Sequence, residues 1–232
     1  MKKLLIATTM AMALSVSAHA ADSTAQLKVQ GVLTNDACTP TMSGGGTVDF
    51  GTHYVDTLSS TAFNQLGSKD FTLSIHCPTA TAVSWGIEDN VGQPAAVDVE
   101  NTGFISGNLP IYADQDGRFG VGKTAGGVPI GAYVVAVNKT GVSADGVVTG
   151  EVHYRVPGNS TWMSFSSRID NVTSTSPLTE YALLDSEAKA PIAFIDGVFP
   201  MRVTLAVDKT STLAITDDTP IAGQATITLS YL

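Results

Sequence analysis

The sequence predicts an all-β protein, an antiparallel sandwich of immunoglobulin-like type. Short segments rich in β-branched and aromatic residues recur along the chain, often with alternating apolar and polar side chains. Clusters of Gly, Asn, Asp and Pro separate them and supply turns. The last eight residues alternate up to the C-terminus, which indicates a final strand tied into a sheet. Many short strands joined by turns are typical of such sandwiches.

The N-terminus has the pattern of a secretory signal peptide. Lys2 and Lys3 precede a short apolar run, and Ala18-His19-Ala20 is a small-x-small cleavage sequence. We therefore expect residues 1–20 to be removed and the protein to leave the cytoplasm. Removing two lysines and no acidic residue changes the formal net charge from −9 to −11. Nucleic acid is an unsuitable partner for so acidic a chain.

Both cysteines, Cys38 and Cys77, lie in the expected mature chain. Export to an oxidising compartment makes a disulfide between them the expected state. In the chain-entropy estimate, closing a loop of this length stabilises a fold by about 4 kcal/mol. The sequence therefore predicts one covalent link near the start of the domain.

The strands and turns follow in chain order. The predicted strands are Leu27–Val29, Phe71–Ile75, Val83–Ile87, Ala132–Val137, Val147–Tyr154, Val203–Val207 and the terminal Ala225–Leu232. The predicted turns are Ser43–Gly46, Asp89–Gly92, Asp114–Gly117 and Pro157–Asn159. One helix is expected, because Ser176-Pro177 resembles a capped start, Leu178, Tyr181, Ala182 and Asp185 follow at helical spacing, and Pro191 ends the segment.

One segment matches a nucleotide-binding motif. Residues 117–124 satisfy the phosphate-loop pattern of Gly, four residues and Gly-Lys-Thr. The chemistry needs a helix that starts at the lysine, and the sequence Ala-Gly-Gly-Val-Pro at 125–129 is unsuited to one. We interpret this motif as a glycine-rich turn between two strands.

The remaining polar motifs are weaker. The histidines are isolated, and the acidic pairs Asp114/Asp116 and Asp217/Asp218 lack the later ligands of a calcium loop. We therefore predict no metal, no cofactor and no enzymatic activity.

The segment from Val29 to Cys38 resembles the beginning of a chaperone-usher pilin domain, with an apolar residue, Gly, a second apolar residue and the first Cys at matching spacing. Cys77 and the penultimate Tyr231 also match that family. The middle of the chain is longer than in a typical pilin. Its segments Phe119–Gly122 and Ile130–Tyr133 resemble a fimbria-associated subfamily of unknown function.

This resemblance implies an incomplete sandwich that lacks its final strand and is completed by a strand from another chain. Residues 31–232 would form the domain, and residues 21–30 an N-terminal donor arm. Ala25, Leu27 and Val29 lie on one face of that arm. The apolar groove would be lined by the terminal strand, through Ala225, Ile227, Leu229 and Tyr231.

The resemblance further implies a structural subunit of a surface fimbria that contributes to adhesion. Its partners would be a periplasmic chaperone, an outer-membrane usher, neighbouring subunits and a host or surface receptor. The arm is short, so a minor, tip-proximal or terminating subunit remains open. The alternative is a self-sufficient secreted module that binds carbohydrate or protein through Trp85, Tyr112, Tyr133 or Trp162.

Overall fold

The fold is known from a computed structural model. It describes residues 30, 37–104, 110–112, 116–148, 151–156, 158–165, 170–173, 179–185, 187 and 189–232. The described part contains ten strands, one α-helical turn and two short 3-10 helices, Ser43–Gly46 and Val55–Thr57. The strands and the α-helical turn are β1 (Thr39–Met42), β2 (Asn64–Asp89), β3 (Arg118–Gly120), β4 (Gly131–Val137), β5 (Ser143–Ala144), β6 (Glu151–Arg155), β7 (Met163–Ser164), β8 (Glu180–Leu184), β9 (Ala193–Val207), α1 (Thr210–Leu213) and β10 (Ala225–Tyr231). The all-β class predicted from the sequence is confirmed.

The strands form a curled antiparallel sheet whose two halves share the 26-residue strand β2. The first half of β2 lies between β1 and β9, and β4 and β3 follow β9 outward. The second half lies between β10 and β8, followed by β6 and β7. Pairing between β2 and β9 shifts between His76 and Thr81. Pro78, which has no N–H to donate, falls inside this irregularity.

The main core lies between the two halves of the sheet. Its largest buried side chains include Trp85 and Tyr181, whose rings stack with centroids 4.7 Å apart. Phe199 meets the Trp85 ring edge-on. Bulky residues from β2, β8 and β9 therefore hold the halves together, and each such burial stabilises the fold by about 1.5–3 kcal/mol.

A second, smaller core covers the opposite face of β4 and β9. Ala95, Val97, Val99 and Ile111 pack on this face, and Val99 and Ile111 exchange backbone hydrogen bonds of 2.9 and 3.0 Å. This central part of the chain therefore partly covers this half of the sheet. The members of this second core are Ala95, Val97, Val99, Ile111, Ala132, Val134 and Ala206.

The helix predicted between Ser176 and Pro191 is wrong. Residues Glu180–Leu184 form β8, which pairs with β6 on one side and β2 on the other. Residues 181–184 are buried on both faces of the sheet, so the segment lacks the alternation typical of a half-exposed strand. Tertiary burial therefore outweighs the helical spacing.

Candidate functional site

The candidate site centres on the terminal strand, β10. Ala225–Tyr231 form a strand as predicted, antiparallel to the second half of β2. Its register places Ile227 opposite Ile87 and Leu229 opposite Trp85. Among the described strands, β10 pairs with β2 alone. One edge of its backbone is therefore available for a further strand.

The apolar face of β10 is only half covered. Val83, Trp85 and Ile87 on the neighbouring strand are at most 4% exposed. Ala225, Ile227 and Leu229 border the same core, yet they remain half-buried. Since paired residues of antiparallel strands share a face, the difference comes from β10 lying at the sheet margin. The strand presents an incompletely buried apolar stripe.

Tyr231 differs from the other three predicted groove residues, because it is 55% exposed. Its hydroxyl oxygen accepts a hydrogen bond of 2.8 Å from the backbone N–H of Cys38. The end of β10 is therefore linked to the residue that precedes β1. The predicted disulfide between Cys38 and Cys77 is present and fixes the same end of the domain to β2.

A second set of half-buried apolar residues starts at the end of β1. These residues border the main core as those of β10 do, and the sequence reasoning missed them. The alternation of the apolar Val48 and Phe50 with polar neighbours is a pattern from which a buried face could have been predicted. The set consists of Met42, Val48, Phe50 and Leu58.

The predicted donor arm, with Ala25, Leu27 and Val29, lies outside the described residues, as do the signal peptide and the Asp114 member of one acidic pair. The glycine-rich motif is only in part the predicted turn, because its residues Arg118–Gly120 form β3. The turn between β3 and β4 starts at the last residue of the motif, where Thr124 N and Gly127 N donate to Val128 O and Thr124 O, both at 2.8 Å. A cleft of about 390 Å³ beside this turn contains Asp217 and Asp218. In the described ranges, no three His, Cys, Asp or Glu side chains are grouped as metal ligands.

One serine-histidine pair was not anticipated. Oγ of Ser164 lies 2.8 Å from Nε2 of the buried His153, its cross-strand partner. The other ring nitrogen, Nδ1, lies 3.3 Å from the backbone carbonyl of Glu151. A carbonyl oxygen only accepts hydrogen bonds, so the neutral tautomer that fits carries its proton on Nδ1. Nε2 then accepts a hydrogen bond from the hydroxyl of Ser164. Nδ1 thus meets a carbonyl where a catalytic triad would place a carboxylate, and the pair acts as a cross-strand bond.

A partly buried polar cluster lies where residues 101–104 meet β9, and no pattern in the sequence predicted it. Arg202 donates from Nε and Nη2 to the two carboxylate oxygens of Asp70, at 2.6 and 2.9 Å, and from Nη1 to Gly103 O at 2.8 Å. The hydrogen bond to Arg202 holds the pKa of Asp70 below its ordinary value.

Asp170 belongs to the same cluster and is fully buried. Its Oδ2 accepts a hydrogen bond of 2.7 Å from Phe104 N, whereas Oδ1 has no hydrogen-bond partner among the described residues. Burial raises the pKa of Asp170, and the bond from Phe104 offsets part of that effect. These hydrogen bonds attach the segment around Gly103 and Phe104 to the sheet, and none of them involves β10.

The fold and the site define a disulfide-bridged all-β domain whose last strand presents a half-covered apolar edge. Residues 27–134 match the family described as "Protein of unknown function (DUF1120)". Over 100% of its length the chain is 31% identical to Protein GltF of Escherichia coli (strain K12), of which it covers 99%. It is 29% identical to the uncharacterized protein YhcF of the same organism, over 94% of each chain.

With a full-length relative at this identity, the chain belongs to this DUF1120 family. The predicted membership of a family of unknown function is confirmed, whereas the predicted resemblance of that family to chaperone-usher fimbrial subunits stays a prediction. The names of these relatives state nothing about fimbriae. In the part of the chain that the structure describes, no helix has both the length and the apolar character needed to cross a bilayer.

Proposed function

We propose that this protein is a structural subunit of a surface fimbria that is assembled by a chaperone-usher pathway through donor-strand complementation and contributes to adhesion. The observation that carries the proposal is the state of β10. This strand has one unpaired edge among the described strands, and its apolar residues Ala225, Ile227 and Leu229 are only half-buried. An added strand would pair with that edge and cover that stripe.

The two half-buried sets define the proposed groove. One set lies on β10, and the other includes Val48 and Phe50 after β1; both border the main core. The hydrogen bond from Cys38 to Tyr231 links the two walls at one end. Each apolar side chain that a donor strand buries there contributes roughly 1.5–3 kcal/mol before the cost of ordering the strand. A few alternating residues are then enough to hold subunits together.

The donor strand comes first from a periplasmic chaperone and then from the arm of a neighbouring subunit at the outer-membrane usher. In this chain the arm is residues 21–30, and its apolar face consists of Ala25, Leu27 and Val29. The proposal includes export after removal of residues 1–20, no cofactor and no catalytic activity. An exposed receptor-binding surface would serve adhesion.

The alternative of a self-sufficient carbohydrate-binding module has less support. Trp85 and Tyr133 are buried in the main core, so neither ring is available to stack on a sugar. The guanidinium of Arg155 lies 4.5 Å from the ring centroid of Trp162 and covers one face of that ring. Of the four aromatic residues considered, Tyr112 is the most exposed.

Expression of the mature chain with and without a co-expressed periplasmic chaperone tests the proposal. We expect an insoluble or proteolysed chain alone and a soluble one-to-one complex with the chaperone. A monodisperse, protease-resistant monomer that binds a glycan would favour the alternative. The complex should also protect the backbone amides of β10 from hydrogen exchange.

A further inference from the structure

The cleft of about 390 Å³ beside the glycine-rich turn lies between two segments of the chain. One wall is formed by residues 123–126 and 128, and the other by residues 213–220, which lead from the end of α1 towards β10. Ala222 N donates to Val121 O at 3.0 Å, so the two walls are joined next to the cleft. Sites for small organic molecules have volumes of about 300–1,000 Å³. The cleft is therefore large enough for a small ligand.

Hydrogen bonds within each wall fix the shape of the cleft. In the first wall, Thr124 N donates to Val128 O at 2.8 Å, and Val128 N donates to Thr124 Oγ1 at 3.2 Å. In the second wall, Thr216 Oγ1 donates to Oδ2 of Asp217 at 3.1 Å, and Thr219 Oγ1 donates to the backbone O of Asp217 at 3.0 Å. A site that is formed before its ligand arrives loses less free energy to ordering on binding.

Charged groups of both signs line the cleft. Lys123 lies on the first wall, and Asp217 and Asp218 lie on the second. All three side chains are exposed, and none of them forms an ion pair with a described residue. Thr124 is only 8% exposed, and its hydroxyl donates to no acceptor among the hydrogen bonds of the described residues. The cleft thus offers hydrogen-bond donors on one wall and carboxylate acceptors on the other.

Apolar side chains also line the cleft. They are Val128, Leu213, Ile215 and Pro220. A sugar ring matches such a mixed lining, because its C–H groups contact apolar side chains while each hydroxyl both donates and accepts a hydrogen bond.

The charges of the lining select against ionic ligands. One lysine against two aspartates gives the cleft a formal charge of −1, which opposes a phosphate, a nucleotide or a carboxylate. Although Lys123 and Thr124 end the phosphate-loop pattern, the chain from Lys123 to β4 contains no helix whose amides could face a phosphate. Lys123 in turn opposes a cationic ligand. A neutral ligand rich in hydroxyl groups is the class that fits these side chains.

We propose that this cleft binds the terminal residue of a neutral glycan, with the carboxylates of Asp217 and Asp218 accepting hydrogen bonds from sugar hydroxyls and Lys123 donating to another. The inference rests on the adhesive part of the proposed function and names the class of its receptor. The lining residues include no member of β10 or of the half-buried set Met42, Val48, Phe50 and Leu58. Glycan binding and donor-strand pairing therefore use separate surfaces.

A glycan array probed with the soluble chaperone complex of the mature chain tests this inference. The array carries neutral oligosaccharides that end in glucose, galactose, mannose or an N-acetylhexosamine, and acidic ones that end in sialic acid or glucuronic acid. We expect binding to at least one neutral terminus and to no acidic terminus. Titration of the neutral oligosaccharide that binds then gives its Kd for the wild-type and variant complexes.

Four variants examine the cleft. Asp218→Asn and Lys123→Met should each raise the Kd about tenfold, because each removes a charged hydrogen-bonding group. Ala125→Trp places a large side chain in the cleft and should abolish binding. Glu187→Gln is the matched control, since it removes an exposed carboxylate between β8 and β9 that does not line the cleft, and it should leave the Kd unchanged. The yield of chaperone complex should be the same for all four variants.

Binding to acidic termini alone, or to no glycan on the array, would overturn the inference and leave the proposed function standing, because formation of the chaperone complex tests that function separately. Equal Kd values for the wild-type, Asp218→Asn and Lys123→Met complexes would place the glycan elsewhere and would also overturn it. If the mature chain is instead stable without a chaperone, the proposed function fails. The same array and variants applied to the isolated chain then decide whether the cleft binds glycan.

Discussion

The backbone N–H of Cys38 donates a hydrogen bond of 2.8 Å to the hydroxyl oxygen of Tyr231, 193 residues later in the chain. Through this bond and the disulfide, the start of β1, the middle of β2 and the end of β10 meet at one end of the domain. The half-covered stripe of β10 starts from this fixed end.

Replacing Tyr231 by Phe should lower the free energy of unfolding by about 1 kcal/mol, because it removes the acceptor for the Cys38 N–H. Urea unfolding of the soluble form in which the protein is purified measures the change. Tyr54→Phe is the matched control, since the Tyr54 ring is 70% exposed. Equal stabilities of the two variants would show that the bond contributes nothing.

The two faces of β10 should respond differently to charge. Leu229→Asp places a carboxylate on the half-buried stripe and should abolish the complex with the co-expressed chaperone. Thr228→Asp, on the exposed opposite face of the same strand, should leave the complex intact. The measurement is the yield of complex on size-exclusion chromatography. If both variants retain the complex, the stripe is not the binding surface.

Reducing the Cys38–Cys77 disulfide should lower the free energy of unfolding by about 4 kcal/mol, the chain-entropy value for a loop of about 40 residues. Chemical denaturation with and without dithiothreitol measures this difference. The double variant Cys38→Ala/Cys77→Ala serves as control, and dithiothreitol should not affect it further. A reductant effect on that variant would point to a cause other than the disulfide.

Asp170 should make the fold less stable at neutral pH than in mild acid. Burial raises the folded-state pKa of Asp170, so its contribution is fully present below the ordinary aspartate pKa of about 3.9 and is lost as the pH rises through the raised pKa. Asp170→Asn should therefore stabilise the protein at pH 7 and lose that advantage towards pH 4. Unfolding midpoints measured across this range test the prediction, and a constant difference would contradict it.

Asp70, in the same cluster, should give stability the opposite dependence on pH. Its pKa is lowered by the hydrogen bond to Arg202, so its stabilisation is present above the ordinary pKa and is lost as the pH falls through the lowered value. Asp70→Asn should destabilise the protein at pH 7 by less than about 1 kcal/mol, because the side chain is largely exposed. The same pH series measures it, and a gain in stability at pH 7 would contradict this assignment.

Gly103 should be coupled to Asp170. A Cβ at Gly103 would overlap the Asp170 carboxylate, so Gly103→Ala should destabilise the fold by about 1–3 kcal/mol. In an Asp170→Ala background the space is free, and most of that cost should disappear. A double-mutant cycle measures the coupling. Additive effects would mean that the two residues do not compete for the same volume.

The residues alone predicted much of the covalent and local structure. The all-β class and the strand at Ala225–Tyr231 follow from short-range patterns, because turn chemistry and a period of two act over a few residues. The disulfide follows from two cysteines in a chain expected to reach an oxidising compartment. The helix predicted near Tyr181 failed where that short-range information is ambiguous. A strand buried on both faces has no alternation to recognise.

Long-range packing decided the rest. Three features depend on residues distant in sequence. They are the pairing of β10 with β2, the half-buried state of the β10 stripe beside the fully buried Trp85, and the burial of Asp170 away from solvent. The amino-acid pattern determined that Ile227 and Leu229 share one apolar face. Only the tertiary structure decided how much of that face the rest of the chain covers, because burial is a property of the assembled sheets and not of any one segment.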